Sequence, residues 1–435
     1  MHRFAIPLSV IGLTLAFVAL CMEPPSRPGI DAPALAHLGE HAVGVRTVTL
    51  VQPGQVDPLG FDPRTGTAPK RDRALTVDIW YPAAPAPDAV PEIYRAELPA
   101  EPPLPPAAFS VPGIAVRDAK AIAGKHPLVI VSHGYSNVTA VLTWLTENLA
   151  SKGYVVAAIR HEDPSINDRT GFPQLLMRRP LDIGFVAREL QRSLGDEGIA
   201  DPARTALVGY SMGGYGVLTS AGAALDPAGP LVQQFTAGLM APWAAGGSQR
   251  GELLVKNLRA VVALAPAGGA LAAWGKDGVG AIGSPLLLIA GDHDHTVDYA
   301  SGARAIYEQA VRSDRYLLTY RFGGHAIGLN PVPDAMRARL WDLDWFEDPV
   351  WRKERIIAIN LHMITAFLDR FVKDDVTRAA YLDVPVTESS AGDWTPPPAR
   401  YDETSGGGDG ITVWKGFQRR HAEGLELLHR PAAAR

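Results

Sequence analysis

The stretch Thr205-Ala206-Leu207-Val208-Gly209-Tyr210-Ser211-Met212-Gly213-Gly214 decides how the rest of the chain is read. Residues 205–208 have the apolar, partly β-branched character of a strand end, and a helical pattern begins at Met212. Between them stands Gly-x-Ser-x-Gly, the sequence of a sharp strand-to-helix turn. Such a turn holds its serine in a strained backbone, and glycines flank it because side chains there would strike neighbouring elements. Ser211 is therefore a candidate nucleophile, with positive dipole from the helix N-terminus beneath it.

A serine hydroxyl is a weak nucleophile near neutral pH, so it needs a base, and the base needs an acid to orient it. On this turn the expected chain order is Ser, Asp, His. The residues follow it: the run 285–290 ends in Gly291-Asp292-His293-Asp294-His295, and the run 316–322 ends in Gly323-Gly324-His325. His325 is expected to act as general base and then acid, and Asp294 to fix the imidazole tautomer. Asp292 competes with Asp294 but reads better as a turn residue bonded to its own backbone. His293 and His295 read as loop residues. A second backbone donor for an oxyanion should follow the strand at 127–132, where Ser132-His133-Gly134-Tyr135 supplies a loop with a glycine for close approach. The N–H groups of Tyr135 and Met212 are the expected pair, and His133 reads as a structural hydrogen-bonder.

Working outward, strand-like runs at 43–51, 75–81, 127–132, 154–160, 205–210, 260–264, 285–290 and 316–322 alternate with helical stretches at 138–152, 180–194, 212–225, 299–312 and 351–372. That rhythm predicts an α/β fold: a mostly parallel central sheet of about eight strands with helices on both faces. Runs 128–131 and 286–289 are apolar on both parities, as strands covered on both sides should be. The first two runs lack a helix between them and predict an antiparallel hairpin at one edge. The catalytic domain is expected over 40–374. Within it, the Pro/Ala-rich stretch 82–125 reads as an irregular surface insertion, and 226–258, with an apolar patch at 235–243, as a candidate lid or ordinary core. Residues 375–435, broken by Gly406-Gly407-Gly408, read as a loose C-terminal extension.

The 435 residues carry 41 Lys+Arg against 46 Asp+Glu, a formal charge of −5, and are 47% hydrophobic. A disordered polyelectrolyte is excluded, and the basic excess that attracts nucleic acid is missing. One cysteine, Cys21, leaves no intramolecular disulfide and no cysteine-built zinc site. Residues 4–22 form an apolar run behind Arg3, ended by Glu23-Pro24-Pro25, and 1–22 read as a secretory signal peptide. The rivals are a lipid anchor on Cys21, since 18–21 approximates a lipobox, and an uncleaved membrane anchor. Each places the body outside the cytoplasm, secreted or in the cell envelope.

Residues 77–82, the Ser132-His133-Gly134 loop, 154–163 and 209–214 resemble the α/β-hydrolase superfamily. Within it they are similar to secreted bacterial relatives of platelet-activating-factor acetylhydrolase and to the serine-type proteins grouped with dienelactone hydrolases. The resemblance runs from about 43 to 374 and implies hydrolysis of carboxylic esters with short or accessible acyl groups, without cofactor. Two departures limit it. The lipid-acetyl hydrolases carry their acid after the sixth strand, where 261–266 here has none, so the acid comes after the seventh, as in secreted polyester hydrolases and cutinases. Dienelactone hydrolases use cysteine where this chain has Ser211. The leading reading is a serine esterase acting on a small or lipid-like ester. An acyltransferase and a polyester or lipid-acyl hydrolase are the nearest alternatives. A metal-dependent hydrolase built on Asp292, His293, Asp294 and His295 is further off, because consecutive residues at a strand end point in alternating directions, and so is a non-enzymatic binding module, because such modules usually lose a triad member and Ser211, Asp294 and His325 are all present.

Overall fold

The computed structural model describes residues 23–99, 105–165, 168–338, 340–393, 412–418 and 421–433; the signal-peptide reading of 1–22, Cys21 included, and the break at 406–408 lie outside the described residues. The strands read from the sequence are all present: β1 Ala42–Val56, β2 Lys70–Ala84, then, after four short ones, β7 His126–Ser132, β8 Val155–Arg160, β9 Ala200–Tyr210, β10 Leu258–Leu264, β11 Leu286–Gly291 and β12 Arg315–Tyr320. They lie in the order β12-β11-β10-β9-β7-β8-β2-β1, parallel from β8 to β12, with β1 and β2 forming the expected antiparallel pair.

The sheet is larger than about eight strands: it is eleven-stranded and mixed. Two of the additions come from the stretch expected to be irregular. There β3 Ile93–Leu98 and β4 Ala107–Pro112 form a separate hairpin, β5 Val116–Arg117 extends the sheet beyond β1, and β6 Lys120–Ala121 pairs with β2. The third comes from the C-terminal extension, where β13 Leu425–Arg430 pairs antiparallel with β12 and closes that edge. Where it is described, that extension is packed rather than loose: Trp414 and Phe417 are buried against the core. Composition hid both, because proline and glycine weaken strand propensity while an open sheet edge still rewards any backbone that can pair with it.

Alternate residues of the central strands enter two separate cores. Val129, Val131, Val208 and Ile289 face one, and Leu128, Ile130, Leu207 and Leu288 the other. Helices α1 Thr143–Ser151 and α6 Lys353–Phe371 cover the first face; α2 Phe172–Asp196, α3 Met212–Ser220 and α4 Ala305–Gln309 cover the second. The stripe Ile356, Ile357, Ile359, Met363, Ile364, Phe367 and Leu368 docks as its spacing predicts. Helix α2 begins well before Pro180, where the sequence reading placed its start. A proline inside a helix removes the N–H that would bond the carbonyl four residues earlier. Here the Leu176 carbonyl accepts the Tyr215 hydroxyl of α3 instead, at 3.1 Å, which ties the two helices together. A short helix absent from the sequence reading, α5 Leu340–Phe346, precedes α6. No described helix is long and apolar enough to cross a membrane.

Candidate active site

Ser211 sits between β9 and α3 with φ 54° and ψ −116°, a region that β-carbon-bearing residues rarely occupy. Three backbone bonds pin it there: its N–H donates to the Leu264 carbonyl at 2.9 Å, and its own carbonyl accepts the N–H groups of Ala267 at 2.9 Å and Tyr215 at 3.2 Å. The neighbouring glycines are sterically required. A β-carbon on Gly209 would stand 2.3 Å from the Gly213 carbonyl oxygen, and one on Gly213 would stand 2.0 Å from that of Ser132. The second contact also packs the turn directly against the end of β7.

The structure brings Ser211, His325 and Asp294 together. Nε2 of His325 lies 3.0 Å from the Ser211 hydroxyl oxygen, and Nδ1 lies 2.7 Å from Asp294 Oδ2. The other carboxylate oxygen of Asp294 accepts the backbone N–H groups of Thr296 and Val297, at 2.9 and 3.1 Å. The carboxylate is almost fully buried, at 3% exposure, while the imidazole keeps an open edge. Asp292 does something else: Oδ1 accepts the Phe322 N–H at 2.6 Å and bonds His293 Nδ1 at 2.8 Å, and Oδ2 accepts Arg321 at 3.3 Å. It joins the ends of β11 and β12 instead of bonding its own turn, and so stabilises the loop that carries His325. His293 is exposed, and its ring lies 6.2 Å from that of His295. Among the described residues no group of three or more His, Cys, Asp or Glu side chains is placed to hold a metal ion.

Positioning of His325 draws on side chains that the sequence reading did not find. Asp348 accepts the Gly324 N–H at 2.7 Å, the Tyr210 hydroxyl donates to the His325 carbonyl at 3.0 Å, and Lys353 Nζ donates to the Ala326 carbonyl. Asn360 Nδ2 and Trp144 Nε1 then take the carbonyls of Ile327 and Gly328, at 2.8 and 2.9 Å. Burial pushes the Lys353 ammonium down to about 8 and lifts the Tyr210 phenol well above its usual range, so the phenol stays a donor. One signal for these residues exists in the sequence: Lys353 and Asn360 are polar positions within the otherwise apolar α6 stripe, and buried polar groups require partners.

A cavity of about 200 Å³ opens at Ser211 and His325. Its walls come from Tyr135 and Asn137 after β7, Phe172 at the start of α2, Ala267, Gly268, Ala270 and Leu271 after β10, Thr296 and Val297 after β11, and Trp345 of α5. Apolar surface predominates. The expected oxyanion donors frame it: Met212 and Tyr135 both line the cavity, and the Met212 N–H, the first of α3, has no acceptor within its own helix. Residues 226–258 contribute nothing to these walls. Leu231, Val232, Met240 and Trp243 are buried in the core, which is the packing alternative to a lid, and Phe235 reaches the rim only by an edge contact with Phe172, ring centroids 5.9 Å apart.

A family model described as PET hydrolase-like matches residues 116–244, which include the loop after β7 and the Ser211 turn but neither Asp294 nor His325. Among solved structures, a ferulic acid esterase from Streptomyces cinnamoneus superposes with a TM-score of 0.51 at 21% identity, over 76% of this chain and 90% of that one. No curated protein matches in sequence. With the strand order and the strained serine turn between β9 and α3, the chain has the α/β-hydrolase fold.

Proposed function

We propose that this protein hydrolyses carboxylic esters through an acyl-enzyme on Ser211. The observation that carries the reading is the unbroken hydrogen-bonded line from Ser211 through His325 to Asp294, open to an apolar cavity at the serine end. The Ser211 oxygen attacks the ester carbonyl carbon while His325 Nε2 takes its proton. Asp294, held by two backbone donors, keeps the Nδ1 proton in place and stabilises the imidazolium. The carbonyl oxygen, now negative, is received by the N–H groups of Tyr135 and Met212. Collapse of the tetrahedral intermediate breaks the bond to the alcohol, which leaves with the proton from His325. Water then attacks the acyl-enzyme with the same histidine as base, and free acid departs.

The cavity is small and lined by Phe172, Leu271, Val297 and Trp345, which supports a compact apolar acyl group over a long chain. The likeness to PET hydrolases over 116–244 and to a ferulic acid esterase in fold supports an acid that carries an aromatic ring, a polyester end included. Export from the cytoplasm is part of the same proposal and rests on the apolar run at 4–22. Ser211→Ala tests the chemistry: hydrolysis of nitrophenyl butyrate should fall by about 10⁴-fold or more, with circular dichroism unchanged. Undiminished turnover would refute it. A panel of butyrate, decanoate and ferulate esters tests the acyl assignment, with decanoate expected to be poorest.

A further inference from the structure

The peptide unit joining Gly134 to Tyr135 has two ends. One is the Tyr135 N–H assigned to the oxyanion; the other is the Gly134 carbonyl. A trans peptide is planar, so these ends point in opposite directions, and whatever grips the carbonyl aims the N–H.

Two buried side chains grip it. Arg179 of α2 donates from Nη2 at 3.1 Å, and His133 donates from Nδ1 at 2.7 Å. The tautomer of His133 follows from its other contact: Nε2 accepts the backbone N–H of His161 at 3.3 Å, which leaves the ring proton on Nδ1. Burial and the nearby Arg179 hold the His133 pKa well below the ordinary value, so the ring stays neutral and keeps that single donor. The same Nη2 of Arg179 also donates to Asp163, whose Oδ2 accepts the Ser136 N–H at 3.1 Å. The loop is thus held on both sides of Tyr135.

Arg179 is fully buried, and its Nε and Nη1 have no hydrogen-bond partner among the described residues. Such a cation is poorly explained by stability, because an apolar side chain of similar size would pack there without desolvating a charge. A donated hydrogen bond at the carbonyl, charge-assisted in the case of arginine, draws electron density from the peptide and makes its N–H a stronger donor.

We propose that Arg179 and His133 are positioning residues that aim and polarise the Gly134–Tyr135 peptide as the oxyanion donor. This rests on the reading of Ser211 as nucleophile and Tyr135 N–H as donor. That donor acts on the tetrahedral state and not on the bound ester, so its loss lowers kcat and leaves KM in place.

The test compares His133→Leu with His133→Asn, whose amide sets an N–H close to the Nδ1 position, and adds Arg179→Met. Because Arg179→Met strands the Asp163 charge, Arg179→Met/Asp163→Asn is measured beside it. His133→Leu and the arginine variants should lower kcat for nitrophenyl butyrate by about 10- to 100-fold, below the roughly 10²–10³ lost when a whole oxyanion donor is removed. KM should stay within about twofold, and inhibition by a trifluoromethyl ketone, which forms a tetrahedral adduct, should weaken by the same factor as kcat. His133→Asn should recover most of both. Folded variants with unchanged kcat, or a loss that appears in KM with ketone affinity intact, overturn the proposal. If the arginine variants do not fold, the His133 pair decides. Failure of the underlying reading looks different: the wild-type protein then resists the ketone, and Ser211→Ala stays active.

Discussion

Two Ser-His-Asp lines run through this molecule with closely similar dimensions. Ser211, His325 and Asp294 are linked at 3.0 and 2.7 Å; Ser132, His161 and Asp182 are linked at 2.9 and 2.9 Å. Hydrogen-bond lengths alone would not separate them. Their surroundings do. Ser132 lies inside β7 with no exposed surface, and Asp182 is gripped by both Nε and Nη2 of Arg73, each at 2.9 Å. Burial, aided by Arg179, drives the His161 imidazole down to about 3, so it cannot take a proton near neutral pH. Ser211 stands on a strained turn at a cavity mouth, and Asp294 is held by backbone N–H groups, with no Lys or Arg paired to it among the described residues. A base must be able to become an imidazolium, which requires a carboxylate whose charge is not already spent on an arginine. The buried line is a fastening, and it fixes the strand end from which the Gly134–Tyr135 loop departs.

The two serines should differ most of all in reactivity. An organophosphonate should label Ser211 and leave Ser132 untouched, even in Ser211→Ala. In that variant turnover drops about 10⁴-fold or more, whereas Ser132→Ala should cost about 1 kcal/mol of stability for its one hydrogen bond. Phosphonate found on Ser132 by mass spectrometry would erase the distinction. The two carboxylates should then part company: Asp294→Asn should reduce kcat by about 10⁴-fold with little change in melting temperature. Asp182→Asn should instead destabilise the fold by about 3–5 kcal/mol, because it leaves Arg73 short of its partner in the interior. Chemical denaturation reads the second and steady-state kinetics the first; exchanged outcomes would invert the assignment. Asp292→Ala should be milder, with kcat reduced by about tenfold or less, since it steadies the His325 loop without touching the ring. A loss as large as that of Asp294→Asn would make Asp292 the working acid.

A last difference is the pH slope of stability. His161 and His362 are both lowered from 6.5 to about 3 by burial, so between those values the unfolded chain binds protons that the folded chain refuses. Asp182, lowered to about 2, has the same sign: the unfolded carboxyl takes a proton from about pH 3.8 downward, before the folded one does. Stability should therefore fall as pH drops from 6.5 towards 3. A urea midpoint that stays level from pH 7 to pH 4 would show that the histidines are not held neutral in the folded state.

Much of this was legible from local pattern. The serine turn was readable because its Gly-x-Ser-x-Gly spacing is local, although only Gly209 answers a contact a few residues away, against Gly213, while Gly213 answers the Ser132 carbonyl at the end of β7. The strand ends bearing Asp294 and His325 were readable because the chain order of the motif restricts where they fall. Asp294 rather than Asp292 lies against His325, and Asp292, expected to bond its own turn, instead contacts Arg321 and Phe322 from the neighbouring strand end. The hairpin in 82–125 and strand β13 escaped notice because their pairing depends on partners distant in sequence. Helix α5, which supplies Trp345 to the cavity wall, is too short to show a helical period.

Sequence by itself pointed to a serine site for ester chemistry and to the eight central strands beneath it, since alternation of strand and helix and the Gly-x-Ser-x-Gly spacing are patterns of near neighbours along the chain. Which of two serine-histidine-aspartate lines faces a cavity, and which is locked beneath arginines, was decided only by the tertiary structure. Burial and the placing of distant charges set the protonation of each histidine, and those are sums over residues that meet only when the sheet has closed its two cores.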